Sequence, residues 1–271
     1  AAAERRNNPI EDAFAAFKAK PRAIAAPRFD LWIEGHYNAF WAERSRLNNS
    51  GKFVVVYVGA DYLVTRSILV GLLGQIDTYG EKSNIQRTSW DGHGFLVGPY
   101  MAARLTKNLF FDARAAWGKS DNTINPFGLY EDGFTTNRWL ARANLTGNWQ
   151  MGQFRVTPGA GIIYISEHQH GYIDTLGLPI PSQTINLGRF TVGPEIAYRI
   201  VTDSGAIFEP QAALKASWDF DKPAAAFVGG YLISQDDIRL AAQLGLMARF
   251  PTGHSWRVAA SWDGIGSRNL Q

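Results

Sequence analysis

Five histidines are the side chains in this 271-residue chain best suited to acid–base or metal chemistry, and their spacing limits what they could do. His168 and His170 stand two apart, so on a strand they share a face and could both reach a metal ion. Glu167, the nearest carboxylate, is one residue from His168 and would point to the opposite face, leaving the pair without a third ligand. His36 and His93 stand alone near the ends of other segments. A hydrolase would want Asp/His or Ser/His pairs brought together at one rim, and no spacing here requires one. With no cysteine, thiolate metal or redox chemistry and a disulfide framework are excluded. The expectation is no enzyme, no metal and no cofactor.

The remaining charged residues are better explained by where they stand. Leu109, Phe111, Ala113, Ala115 and Trp117 alternate with Asp112, Arg114, Gly118 and Ser120. Phe208, Ala212, Leu214 and Trp218 alternate with Glu209, Gln211, Lys215, Ser217 and Asp219. Trp139, Ala141, Ala143, Leu145 and Trp149 oppose Arg138, Arg142, Asn144 and Asn148. Ile238, Leu240, Ala242, Leu244, Leu246 and Phe250 oppose Arg239, Gln243 and Arg249, and Trp256, Val258, Ala260 and Trp262 oppose Arg257, Ser261 and Asp263. Successive strand side chains point to opposite faces, so each segment has one face for oil and one for water. An Arg facing lipid near the midplane would cost about 2–4 kcal/mol. Several such costs per molecule are intolerable, so the charged face is expected to line a lumen.

Composition agrees. Aromatic residues make up 13% with nine Trp, heavy for a water-soluble domain and suited to interfacial girdles. Mean hydropathy is −0.17. No stretch approaches the roughly 18–20 apolar residues of a spanning helix. The net charge of +3 is small and Lys and Arg are dispersed, so no nucleic-acid partner is expected. Ala1 to Arg6 has no apolar signal core, as expected of a mature or excised piece of an envelope protein.

Eleven strands are expected, near 28–40, 53–64, 68–80, 94–105, 109–119, 134–149, 154–168, 185–201, 206–220, 237–250 and 255–263. Tight turns at 65–67, 106–108, 150–153, 202–205 and 251–254 alternate with longer polar loops near 41–52, 81–93, 120–133, 169–184 and 221–236. Transmembrane barrels show this asymmetry, with short turns on one side and long loops on the other. Pro99, Pro158, Pro194 and Pro210 fall inside strands on the apolar face and are assigned to bulges. Before the strands, Asn8 as N-cap, Pro9 at the first helical position and Glu11 predict a helix over about 9–20, ended by Pro21. The domain organisation is thus 1–27, linker and helix, then 28–271, barrel.

Several segments resemble the β-domain of autotransporters, the type V secretion translocators of Gram-negative bacteria. They are Phe29-Asp30-Leu31-Trp32-Ile33-Glu34-Gly35, Leu69-Val70-Gly71-Leu72, Gly98-Pro99-Tyr100, Phe111-Asp112-Ala113-Arg114-Ala115-Ala116-Trp117-Gly118, Gly193-Pro194-Glu195-Ile196 and Trp262-Asp263-Gly264-Ile265-Gly266. The resemblance spans essentially the whole chain. It implies an all-β transmembrane fold, an antiparallel up-and-down β-barrel of twelve strands with the short N-terminal α-helix in the lumen. Eleven are visible here, and the chain stops at Arg268-Asn269-Leu270-Gln271, where a twelfth would begin. The implied function is anchor and translocator for an upstream passenger. The implied partners are outer-membrane lipid and lipopolysaccharide, the chain's own passenger and the barrel assembly machinery.

The lumen-lining candidates are Glu34, Asp61, Arg104, Asp112, Arg114, Arg138, Arg142, Glu195, Arg199, Glu209, Lys215, Asp219, Arg249 and Arg257. They would form a hydrated conduit, satisfying one another and the lumenal helix. The resemblance also raises self-cleavage between Asn7 and Asn8, where an Asn amide attacks its own carbonyl with help from Glu34, Asp61, Asp77, Asp112, Glu195 or Glu209. N-capping explains Asn8 more economically. The alternatives in function are a plugged porin-like channel for small solutes and a surface barrel hydrolase.

Overall fold

The computed structural model describes residues 28–42, 48–222, 226–228, 231–233 and 237–265, and the statements below concern these residues. The helix expected over 9–20 and the Asn7–Asn8 pair lie outside them.

Five long strands come first: β1 (Phe29–Ala42), β2 (Asn49–Thr65), β3 (Ile68–Ser83), β4 (Thr88–Arg104) and β5 (Leu109–Asn125). A 3₁₀ turn at Pro126–Gly128 leads to β6 (Asp132–Gly147) and the short β7 (Trp149–Met151). β8 (Phe154–Gln169) runs into a small hairpin, β9 (Tyr172–Ile173) and β10 (Pro179–Ile180). Then follow β11 (Gln183–Tyr198), β12 (Ile200–Val201) and β13 (Ile207–Asp221). A second hairpin, β14 (Ala226–Val228) and β15 (Tyr231–Ile233), precedes β16 (Ile238–Arg249) and β17 (Ser255–Ile265).

The sheet runs β1-β2-β3-β4-β5-β6-β8-β11-β13-β16-β17, with β7 on β8 and β12 on β13. Each long strand lies beside its predecessor in the chain, the up-and-down order that the alternation of turns and loops predicts. The β1–β2 register runs without a slip from Phe29 opposite Tyr62 to Ala42 opposite Asn49. The tight turns carry the residues such turns demand. At Gly205 (φ +80) and Gly253 (φ +88) the backbone enters the left-handed region that only glycine adopts cheaply.

Two expectations are corrected. The loops placed near 81–93 and 120–133 are largely strand, and only residues 84–87 turn between β3 and β4. The ladder continues while the apolar stripe stops: Thr78 and Lys82 follow Ile76 on β3, and Lys119, Asp121 and Thr123 follow Trp117 on β5. A stripe of apolar residues marks a strand only as far as its face meets oil. Nor does the register shift at Pro194 or Pro210. In the β11–β13 ladder Val192 opposite Ala216 and Glu195 opposite Ala213 keep one register across Pro194, and Pro210 pairs with Leu246 in an unbroken ladder. At these two positions the strand carries no extra residue, and proline forgoes one N–H bond instead. All four prolines do sit on the exposed face.

The residues group into two compact units. The first takes the described parts of Ala1–Ala102 with Ala113–Ala141 and Tyr164–Asn186. Leu31, Ile33, Val58, Leu72, Ile76, Trp117 and Trp139 are exposed on one side of its strands. Its sheltered side is not uniformly polar. Leu69, Leu73, Tyr100 and Ala102 form a buried cluster with Trp32, Tyr57 and Leu63 against it, and Leu96, Ala116 and Leu140 form another with Ile165. Trp32 and Trp90 turn to this side, against the outward placement expected of tryptophan. Trp32 can do so because its partner across the ladder is Gly59, where an added Cβ would fall 2.2 Å from the indole ring. Tyr100 lies likewise over Gly71, where a Cβ would fall 2.5 Å from the phenol ring.

The second unit takes Ala103–Asp112, Arg142–Ile163 and the described parts of Leu187–Gln271. Leu214, Trp218, Leu244, Leu246, Trp256, Val258 and Trp262 are exposed on one face, while Ala197, Ala213 and Asp219 are buried on the other.

The glycine seats yield a stability test. Gly59→Val and Gly71→Val are each expected to destabilise by about 1–3 kcal/mol through overpacking. Gly35→Val on the exposed face, where the nearest atom would be 4.0 Å away, should be neutral. The measurement is the thermal midpoint of the heat-modifiable gel shift in detergent.

Candidate functional site: the sheltered polar face

Strand parity sends one side chain in two toward the sheltered face, and there the polar groups find each other. In the first unit Trp32 Nε1 donates to Tyr100 Oη (2.8 Å), which donates in turn to Asp61 Oδ2 (2.8 Å). A few residues further along the strands, Asp77 accepts Arg138 Nη1 on both oxygens (2.8 and 3.1 Å) and Gln75 Nε2 on one (2.8 Å). Arg138 belongs to β6 and Asp77 to β3. The guanidinium reaches across because Gly94 of β4 lacks a Cβ, which would stand 2.4 Å from Nη1.

Beyond this pair Glu167 Oε1 accepts Thr136 Oγ1 (2.7 Å) and Ser120 Oγ (3.3 Å), and Tyr79 Oη donates to Asn122 Oδ1 (2.9 Å). Arg114 lies over the Tyr57 ring at 5.6 Å, and His36 Nε2 meets Glu34 Oε1 at 2.8 Å.

The second unit is richer in arginine. Asn144 Nδ2 donates to Asp112 Oδ1 (2.7 Å). Arg155 Nη2 lies 3.8 Å from both Glu195 and Glu209. Asp219, its side chain 1% exposed, accepts Nη2 of Arg189 and of Arg239 at 3.0 Å each, and Arg239 reaches on to Asp263 at 3.9 Å. Arg249 and Arg257 both point Nη2 toward Met247 Sδ, at 4.0 and 3.7 Å. Arg142 is half-buried, its Nε without a hydrogen-bond partner; Lys215 is half-buried and Arg199 exposed.

Of the sequence-derived candidates, then, Glu34, Asp61, Asp112, Arg138, Glu195, Glu209 and Asp219 enter hydrogen bonds or ion pairs on this face. Sequence reasoning missed several of their partners. Arg155 and Arg189 share the parity of the charged stripe and could have been found by extending it, whereas Arg239, Ser120 and Asn144 already stood on the polar side of the stripe. Asn122 and Thr136 are neutral, and only their strand position marks them.

The histidine pair stands elsewhere. His168 Nδ1 bonds Thr184 Oγ1 (2.8 Å), and Asn137 Nδ2 bonds His170 Nε2 (2.9 Å). Their rings lie 5.2 Å apart, while Glu167 turns away into the polar network just described. In the loops Tyr130 and Tyr172 are pushed above the ordinary phenol range, by desolvation first and then by Asp174 and Asp132, so both remain neutral donors.

The arrangement does electrostatic work. In each unit the buried carboxylates are met by arginine, amide or hydroxyl groups of neighbouring strands, which leaves a wettable surface. Removing Asp77 tests how tightly. Asp77→Ala strands Arg138 partly buried and is expected to cost about 3–5 kcal/mol in denaturant unfolding. Asp263→Ala, whose carboxylate is 44% exposed, should cost under about 1 kcal/mol.

Comparison with known proteins bears on what such a face serves. The family model described as the autotransporter beta-domain matches residues 32–263. Among solved structures the chain is similar to the β-domain of the Bordetella autotransporter BrkA, at 15% identity and TM-score 0.65 over 87% of this chain and 92% of that one. It is similar to the translocator domain of NalP from Neisseria meningitidis, at 12% identity and TM-score 0.61 over 97% and 89%. The transport unit of AIDA-I from Escherichia coli aligns at 12% identity and TM-score 0.59 over 94% and 91%. Comparison with curated protein sequences finds no match.

Proposed function

This chain belongs to the autotransporter β-domain family, and from that premise we propose how its two faces divide the work of translocation. It is an outer-membrane translocator domain of a Gram-negative bacterium, an antiparallel β-barrel. The observation that carries the proposal is the sorting of side chains by strand parity. Leu214, Leu244, Trp218 and Trp256 are exposed on one face while Asp219 is buried with its two arginines on the other.

The apolar face contacts outer-membrane lipid and lipopolysaccharide, its tryptophans at the interfaces. The polar face lines the lumen, with Glu34, Asp61, Asp112, Arg114, Arg138, Arg142, Glu195, Arg199, Glu209, Lys215, Asp219, Arg249 and Arg257 among its residues. The passenger crosses as an extended chain beside this face, through the barrel or through a barrel shared with the assembly machinery. Residues 1–27 form the linker that joins it to the barrel. A conduit of this kind needs water and compensated charge rather than a reactive group, and the domain acts without catalysis of its own. Folding of the passenger outside supplies the pull.

The absence of native cysteine makes a clean test possible. Lys215→Cys and Gln243→Cys report the polar face, and Leu214→Cys and Leu244→Cys report the apolar one. With a passenger stalled in transit, labelling of the first pair by a membrane-impermeant thiol reagent should fall at least about tenfold, relative to the barrel after release. The second pair should stay unlabelled in both states. Equal labelling of Lys215→Cys with and without the stalled chain would remove the polar face from the passenger's path.

A further inference from the structure

The outward face of the first unit is not apolar along its whole length. On β5 the last apolar side chain is Trp117, followed on the same face by Lys119, Asp121 and Thr123; on β6 Thr135 and Asn137 precede Trp139. β3 passes from Ile76 to Thr78, and β4 from Phe95 to His93 and Asp91, in the same way. Not every strand carries this polar belt. On β13 Trp218 and Phe220 take the apolar stripe to the strand's end, and β16 begins on Ile238. From Trp117 to Asp121 is about 13 Å of strand at ~3.3 Å per residue, or roughly 10 Å along the membrane normal at the usual tilt. That is the level of lipid head groups, not of hydrocarbon.

Within the belt the surface is hollowed into an open groove of about 460 Å³. Lys52 of β2, Asp91 and His93 of β4 and Asp121 of β5 line it, with Thr78, Thr123 and Thr135 adding hydroxyls. Gly80 of β3 makes room between Lys52 and Asp91. A Cβ there would stand 2.6 Å from Asp91 Oδ1 and 3.5 Å from Lys52 Cε, so the two side chains converge over bare backbone. Neither makes a side-chain hydrogen bond or ion pair among the described residues. His93 Nε2 stays 3.8 Å from Asp121 Oδ2, with both side chains largely exposed. The contrast with the sheltered face is sharp. There Asp61, Asp77, Asp112 and Asp219 are bonded to protein, whereas these two carboxylates keep their acceptors for something outside it.

We propose that this groove seats the head-group sugars of one lipopolysaccharide molecule. The proposal rests on the translocator reading, which sets this face against the outer leaflet. Chemistry selects the occupant. Two carboxylates against one lysine repel a bare phosphate, but carboxylates accept hydroxyl protons strongly, and the threonines can give or take one, as a polyol requires. Lys52 is left for a phosphate or acid group carried on the sugar. On the membrane side stand the exposed Lys119 and the Trp117–Trp139 pair, ring centroids 6.1 Å apart, placed for the phosphates and first methylenes of the same lipid. A lipid held at both ends fixes the height of this part of the barrel in the leaflet.

The test uses the full-length protein, isolated in detergent from a Gram-negative host, stripped of lipid and titrated with lipopolysaccharide by native mass spectrometry. One variant combines Asp91→Asn with Asp121→Asn, a second is Lys52→Gln, and the control is Lys107→Gln in the tight turn at the opposite end of β5. Heat-modifiability confirms an assembled barrel in each. The carboxylate variant should bind lipopolysaccharide at least about tenfold more weakly than the parent, and lipid A without core sugars equally well. Lys52→Gln should lose at least about threefold with a phosphorylated core and nothing with a dephosphorylated one. The control should match the parent. Unchanged affinity in the carboxylate variant overturns the proposal, as does an equal loss in Lys107→Gln, which marks general charge attraction. Core oligosaccharide without acyl chains binding as tightly as the whole lipid overturns it in favour of a soluble glycan. Absence of passenger from the surface of cells carrying the parent protein overturns the translocator reading instead, whatever the titration gives.

Discussion

In a hydrocarbon layer no water is available to a backbone N–H or C=O, and everything else in this molecule follows from that. Each strand must give its hydrogen bonds to neighbours, and the cheapest neighbour is the strand just made. The result is the consecutive order of the sheet and a β1–β2 ladder unbroken over its whole length. Side-chain parity then does the sorting. Once register is set, whatever falls on odd or even positions is committed to oil or to shelter, and a slip of one residue would exchange them wholesale.

That commitment explains the character of the sheltered face. A carboxylate buried there cannot retreat to bulk solvent as a surface charge does, so it must be answered locally. Asp77 is answered by Arg138 and Gln75, and Asp219 by Arg189 and Arg239. The cost of leaving any one unanswered is what maintains the pairing.

The number and order of the eleven long strands and the polarity of most faces were legible in the sequence because lipid writes its signature at period two. The stripe through Trp139, Ala141, Ala143 and Leu145 reads the same in the structure, with Arg138, Arg142 and Asn144 opposite. Legibility failed where that contrast vanished. On β3 the run Ile68-Leu69-Val70-Gly71-Leu72-Leu73 is apolar on both sides, so the inward clusters around Leu69 and Leu73 left no mark. At 81–93 and 120–133 both sides are polar, and strand looked like loop. Composition suits the tryptophans to outward girdles in general, and the Gly59 opposite Trp32 explains why this one turns inward. The charged candidates were found, but Asn122 and Thr136, which complete their network, carry no charge to reveal them.

The seat of Trp32 on Gly59 has a consequence for assembly. Two strands can align in many registers, and backbone bonds alone scarcely distinguish them. Shift β1 by two residues and parity is preserved, yet the indole would come to rest opposite Tyr57 or Asp61, with no room beneath it. The ring thus acts as a key cut for a single lock, able to reject a misaligned neighbour before the next strand is added. Two residues chosen for shape, one the largest and one the smallest, can proofread a barrel while it is still being built.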